Sequence, residues 1–178
     1  MTIDSRRHCD GLIRFLTSGR ASGEVRPGWI VGYLAMPGEV DLSAVLEAED
    51  LGPFAVTRTP DDGSDLSVHP IDSPRELHPY GFEQPVAGAP VVPGSEIAVV
   101  LVPGLAFDRL GGRLGRGKGY YDRLLARLQG TSLFVGITGG YIVAELPTDE
   151  HDVTMTHLAG EFGVARSPLA EPADQEAG

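Results

Sequence analysis

The residues best suited to chemistry fall in one run, GGRLGRGKGYYDRLL, which begins at Gly111. Within it Gly112, Gly115, Gly117 and Gly119 are interleaved with Arg113, Arg116 and Lys118. Glycine bends into backbone conformations that other residues avoid and lets a ligand approach closely. Exposed N–H groups ahead of a helix attract anions, and guanidinium or ammonium groups add charge-assisted hydrogen bonds. From Gly112 to Lys118 the pattern is G-x-x-x-x-G-K, the start of a P-loop, yet the hydroxyl residue that would hold magnesium is replaced by Gly119. Asp122 follows three residues later. Beside bound phosphates a bare carboxylate is repelled, and a Mg2+ ion shared between the two removes the conflict. A lone G-x-G is most simply a turn; glycines alternating with cations read as a phosphate cradle that is not a P-loop.

The remainder of the chain makes this island conspicuous. Across 178 residues, 14 Lys and Arg are set against 25 Asp and Glu, a formal net charge of -11. The cations gather at Arg109, Arg113, Arg116, Lys118, Arg123 and Arg127. An acidic chain argues against a nucleic-acid partner, whose phosphates call for a basic surface, and favours a small anionic ligand. An apolar fraction of 42% and a charged fraction of 22% are those of a globular protein with a proper core. The single Cys9 cannot form an internal disulfide, and no apolar run nears the roughly 20 residues that span a bilayer. A cytoplasmic monomer with no membrane partner is expected.

Elements must hold the run in place. EIAVVLVPG (96–104) is apolar almost throughout, which suits a central parallel strand covered on both faces. YYDRLLARLQG then reads as a helix with Leu124, Leu125 and Leu128 on one face. The cradle therefore lies between a strand and the next helix, where open α/β sheets bind ligands. GWIVGYLAM, FAVTR, DLSVHPI and SLFVGIT read as further strands. DGLIRFLTSG reads as a short helix capped by Asp10 and ended by Gly19, and DLSAVLEAEDLG as another ended by Gly52. Residues 73–95, rich in Pro and Gly, read as a long loop. These alternations predict one three-layer α/β/α domain over 1–166 with a mostly parallel sheet, and a disordered acidic tail over 167–178.

LVPGLAFDRLGGRLGRGKGYYDRLL closely resembles the signature of the 5-formyltetrahydrofolate cyclo-ligases, also called methenyltetrahydrofolate synthetases: an apolar strand, PGLAFD, then G-x-RLG-x-G-x-GYYD. GYLAMPGEVDL, the Thr57–Arg58 pair, YGFEQP and LPTDEHD resemble further segments of that family. The resemblance implies an ATP- and Mg2+-dependent conversion of 5-formyltetrahydrofolate to 5,10-methenyltetrahydrofolate, ADP and phosphate. ATP phosphorylates the formyl oxygen, N10 of the folate attacks the activated carbon, and phosphate leaves. It implies ATP contacts from Arg113, Leu114, Gly115, Arg116, Gly117, Lys118, Gly119, Tyr120 and Tyr121, with Arg116 and Lys118 as the catalytic cations. It implies folate contacts from Leu34, Glu39, Arg116, Gly117, Lys118, Gly119 and Tyr120, and magnesium at Asp122 and Asp152. The chain departs from the family pattern at Leu42, Tyr141 and Thr156, and its N-terminal stretch DSRRHCDGLIRFL supplies Arg6 and Arg7 without the usual Lys-x-x-x-Arg spacing. The alternative reading is a relative that binds folate or nucleotide with weak or no turnover.

Overall fold

The computed structural model describes residues 3–169. The tail expected to be disordered lies outside the described residues beyond Leu169. In chain order the strands are β1 (Trp29–Gly32), β2 (Phe54–Arg58), β3 (Ser67–Pro70), β4 (Arg75–Leu77), β5 (Glu83–Pro85), β6 (Ile97–Pro103), β7 (Ala106–Asp108), β8 (Arg113–Leu114), β9 (Leu133–Ile137), β10 (Ile142–Val143), β11 (His157–Gly160) and β12 (Gly163–Arg166). The helices are α1 (Ser5–Ser22), α2 (Ser43–Leu46) and α3 (Tyr120–Leu128).

Seven strands form the main sheet in the order β12-β11-β9-β6-β1-β2-β3. The pairs from β11 across to β2 are parallel, and only the edge strands β12 and β3 run antiparallel. Alternate residues of each central strand face opposite layers, as the two-residue period requires. Ile30, Val56, Val99 and Leu101 pack with Leu12 and Leu16 of α1. Val31, Val100, Val102 and Phe134 pack with Leu124, Leu125 and Leu128 of α3. Full burial of each such side chain contributes about 1.5–3 kcal/mol. The result is the three-layer α/β/α domain expected. Among the described residues no helix is long and apolar enough to cross a membrane.

Three local expectations need correction. Helix α1 starts earlier and ends later than read: Asp4 accepts the Arg7 N–H at 3.3 Å as N-cap, and Gly23 closes the helix at φ +82°. Asp10 and Gly19 are therefore interior. Gly19 stays because a Cβ there would lie 2.5 Å from Cγ2 of Val25, which packs onto the bare turn. The second helix breaks after one turn, α2, and a 3-10 turn (Glu49–Leu51) completes the segment, since Val45, Leu46 and Leu51 are all needed in the core. Residues 73–95 hold the hairpin β4–β5 rather than a long loop. Its anchors are polar: Arg58 on β2 donates to Glu76 at 2.8 Å, and Gln84 accepts the Thr59 N–H at 3.1 Å.

Strand β1 leads to β2 on one side, whereas β6 on its other side leads on to β9. The direction of winding thus reverses between β1 and β6, and their carboxyl ends open a crevice there.

Candidate active site

The crevice carries two adjoining cavities, of about 390 and 320 Å3. Tyr33 and Glu39 after β1, and Pro103, Gly104 and Leu105 at the end of β6, border both. Glu39 is set by a tight turn: its N–H donates to Met36 O at 3.0 Å and its Oε2 accepts the Met36 N–H at 2.9 Å. Gly38 supplies the φ of +89° that this turn demands. Tyr33 donates its hydroxyl to Val40 O at 3.1 Å, and burial pushes its pKa well up.

The glycine run forms the facing wall of the larger cavity. The antiparallel pair β7–β8, which forms a three-stranded sheet with β10, delivers it, and a buried carboxylate shapes the turn between the two strands. Asp108, 1% exposed, accepts N–H groups from Leu110 at 3.0 Å, Gly112 at 2.7 Å and Leu146 at 2.9 Å. Gly112 is obligatory there, because a Cβ would lie 2.6 Å from Asp108 Oδ2. Beyond β8 the chain reaches Gly119, whose left-handed φ of +69° N-caps α3 with no side-chain cap. The first N–H groups of α3 therefore lack a capping oxygen at the rim of the cavity.

The expected site residues converge unequally. Leu34, Glu39, Arg113, Gly115, Arg116, Gly117, Lys118, Gly119, Tyr120, Tyr121 and Asp122 all line the larger cavity. Leu114 does not; it sits on β8, exposed and outside the lining. Asp152 also lies outside the lining, on an exposed turn where its Oδ2 accepts the Asp149 N–H at 2.6 Å. Lys118 places its ammonium 5.2 Å above the Tyr80 ring. Arg116 donates to Glu39 Oε1 at 3.3 Å. The Arg113 side chain, 7% exposed, donates to Asp122 Oδ1 at 2.7 Å and to Pro103 O at 3.3 Å. Its buried Nε has no hydrogen-bond partner among the described residues. Tyr121 shares a 3.3 Å hydrogen bond with Thr57, and burial pushes its pKa up to about 12. Both phenols thus stay protonated near neutrality and are polar walls of the cavity rather than bases.

Hairpin β4–β5 adds what residue patterning missed. His78 stacks on Phe82 with centroids 4.4 Å apart and planes at 14°, and Tyr80, 75% exposed, overhangs the cavity beside Lys118. The YGFEQP motif contains two of these rings, but only the anchoring of the hairpin to β2 shows that they face the glycine run. The family departures have separate fates. Leu42 is core at 1% exposure, and Thr156 bonds to the Phe134 backbone, whereas Tyr141 borders the smaller cavity. Arg7 pairs with Asp4 and Glu161 and lines neither cavity.

A family model described as the 5-formyltetrahydrofolate cyclo-ligase family matches residues 33–161, well over half of the chain. The 5-formyltetrahydrofolate cyclo-ligase of Mycolicibacterium smegmatis is 42% identical over 77 residues, which is 43% of this chain and 40% of that protein. The match therefore spans less than half of that relative's length. The Saccharomyces cerevisiae 5-formyltetrahydrofolate cyclo-ligase is 33% identical over 145 residues, 75% of this chain and 68% of that protein. The solved 5,10-methenyltetrahydrofolate synthetase of Aquifex aeolicus has a TM-score of 0.70 and 28% identity, covering 98% of this chain and 88% of its own. Fold and crevice define a doubly wound α/β protein with a run of glycines and cations lining the crevice at its switch point. The chain belongs to the 5-formyltetrahydrofolate cyclo-ligase family.

Proposed function

We propose that the chain converts 5-formyltetrahydrofolate and ATP to 5,10-methenyltetrahydrofolate, ADP and phosphate. The observation that carries this reading is the convergence of one sheltered carboxylate, Glu39, with a glycine loop bearing three cations at the sheet's switch point. A planar ring with adjacent N–H donors matches a carboxylate, and the aromatic wall of Tyr80, Phe82 and Tyr120 suits its faces. The triphosphate suits the uncapped start of α3 together with Arg113, Arg116 and Lys118. The formyl oxygen then lies where the two ligands meet, and Arg116 and Lys118 balance charge on the transferring phosphoryl group. Transfer to that oxygen makes phosphate the leaving group when N10 closes the ring, so positioning supplies most of the catalysis.

Magnesium fits this site in part. Asp122 offers a carboxylate at the cavity wall, and a Mg2+ ion asks of the protein only one or two carboxylates besides phosphate oxygens. Bound there, the ion would neutralise phosphate charge. Asp152 would have to reach the site from its exposed turn or act through water.

The test is the appearance of the methenyl product, read by its near-ultraviolet absorbance, with purified protein, both substrates and Mg2+. An ATP-dependent signal abolished by EDTA is expected. Lys118→Ala should raise the KM for ATP by tenfold or more, since a hydrogen bond to a charged group contributes about 1.5–3 kcal/mol. A folded protein that gives no product, or a Lys118→Ala variant with unchanged KM, contradicts the proposal.

A further inference from the structure

Glu39 and Arg116 are the charged residues that the two cavities have in common, and they are bonded to each other across the boundary at 3.3 Å. The two partners are held very differently. The Glu39 side chain is 15% exposed, with its other oxygen tied to the Met36 N–H at 2.9 Å. Arg116 is 55% exposed, stands between Gly115 and Gly117, and has no second acceptor among the described residues. Its position thus depends on Glu39, whereas Glu39 does not depend on Arg116.

From this asymmetry we infer that the Glu39–Arg116 pair is a latch that couples the two ligands, so that a donor edge arriving at Glu39 frees Arg116 for the nucleotide phosphates. The inference rests on the proposed cyclo-ligase reading and goes beyond it. A ligand presenting paired N–H donors competes for the Oε1 that Arg116 occupies. Guanidinium and ligand compete for that oxygen, because the other oxygen of the half-buried carboxylate is already taken by the Met36 N–H. The loop glycines let the released cation swing without deforming either strand. By linkage the effect is reciprocal: the first ligand tightens the second by the same factor in either order. The pair is partly exposed, so the expected factor is modest, about three- to tenfold.

Calorimetric titration of a non-hydrolysable ATP analogue with Mg2+ tests the latch, in the absence and presence of saturating 5-formyltetrahydrofolate. The folate should tighten analogue binding by about three- to tenfold in the wild type. Glu39→Gln, which keeps an acceptor for the Met36 N–H, should bind the analogue without folate as tightly as the wild type does with it. Glu83→Gln removes a carboxylate of the same cavity without touching Arg116, and should leave analogue binding unchanged. If both ligands bind the wild type independently and Glu39→Gln binds the analogue no tighter, the latch is overturned while the proposed reaction stands. Equal tightening by Glu83→Gln overturns it too, since loss of any negative charge would then suffice. Failure of the folded wild type to bind either ligand overturns the proposed reaction and the latch together.

Discussion

Asp108 shows how much one side chain can impose on its neighbours. Its two oxygens collect three N–H groups, two from the adjacent turn and one from Leu146, 38 residues away. The turn sets the path of β8, and β8 carries the Arg113 that reaches Asp122. In Asp108→Asn the amide nitrogen cannot accept, so at least one N–H loses its partner inside a buried pocket. A loss of about 1–3 kcal/mol is expected, together with a raised KM for ATP. Thermal melting and ATP kinetics check this; an unchanged melting temperature would show that the three bonds are dispensable. PGLAFD is conspicuous in the sequence, but nothing local distinguishes a carboxylate that organises a turn from one that meets a ligand. The contact with Leu146 makes that distinction.

Elements differ in how openly their sequences declare them. Strand β6 and helix α3 are legible because each follows one uninterrupted pattern, apolar throughout or apolar every third and fourth residue. Strand β2 matches FAVTR residue for residue. The hairpin β4–β5 has no such pattern: Leu77 is 73% exposed, while the inward side chains Glu76 and Gln84 are polar. Its place comes from Arg58, only 5% exposed, which donates to Glu76 and Asp61. Arg58→Ala should free the hairpin and its aromatic rings, at a cost of about 1–3 kcal/mol, since Glu76 and Asp61 remain partly in water. Faster amide exchange over 75–85 and weaker folate binding, with smaller change in ATP binding, are the expected readouts. Protection equal to wild type would show that other contacts hold the hairpin. The ends of α1 illustrate a related ambiguity. Asp4 and Asp10 are both sound N-caps by type, and it is Asp4 that accepts the Arg7 N–H, which leaves Asp10 inside α1.

At the scale of the whole molecule, the far edge of the sheet is tied to the end of α1 by an ionisable cluster. Glu24 accepts from Arg166 at 2.8 Å and from His157 Nε2 at 3.3 Å, and the His157 ring lies 4.9 Å from Phe15. Burial lowers the His157 pKa, and the hydrogen bond from Arg166 lowers that of Glu24. The unfolded chain therefore takes up protons before the folded one does. Stability is full above the ordinary imidazole range and falls as pH drops through about 6.5 toward the lowered folded value, with Glu24 adding a further loss in the carboxylate range. The melting temperature should decline between about pH 7.5 and 5.5, and His157→Gln should flatten that decline. A variant with the wild-type slope would place the effect elsewhere.

The glycine run, its cations, the strand before it and the helix after it could be read from the chain alone, because each depends on neighbours within a few residues. So could the α/β alternation, since periodicity reports which faces must be buried. The pairing of Glu39 with Arg116, 77 residues apart, could not be read in that way. Nor could the diversion of Asp122 to Arg113, the exclusion of Leu114 and Asp152 from the cavity lining, or the aromatic hairpin above Lys118. Those depend on which strand ends the sheet order brings together, and that order follows from packing the two helical layers at once.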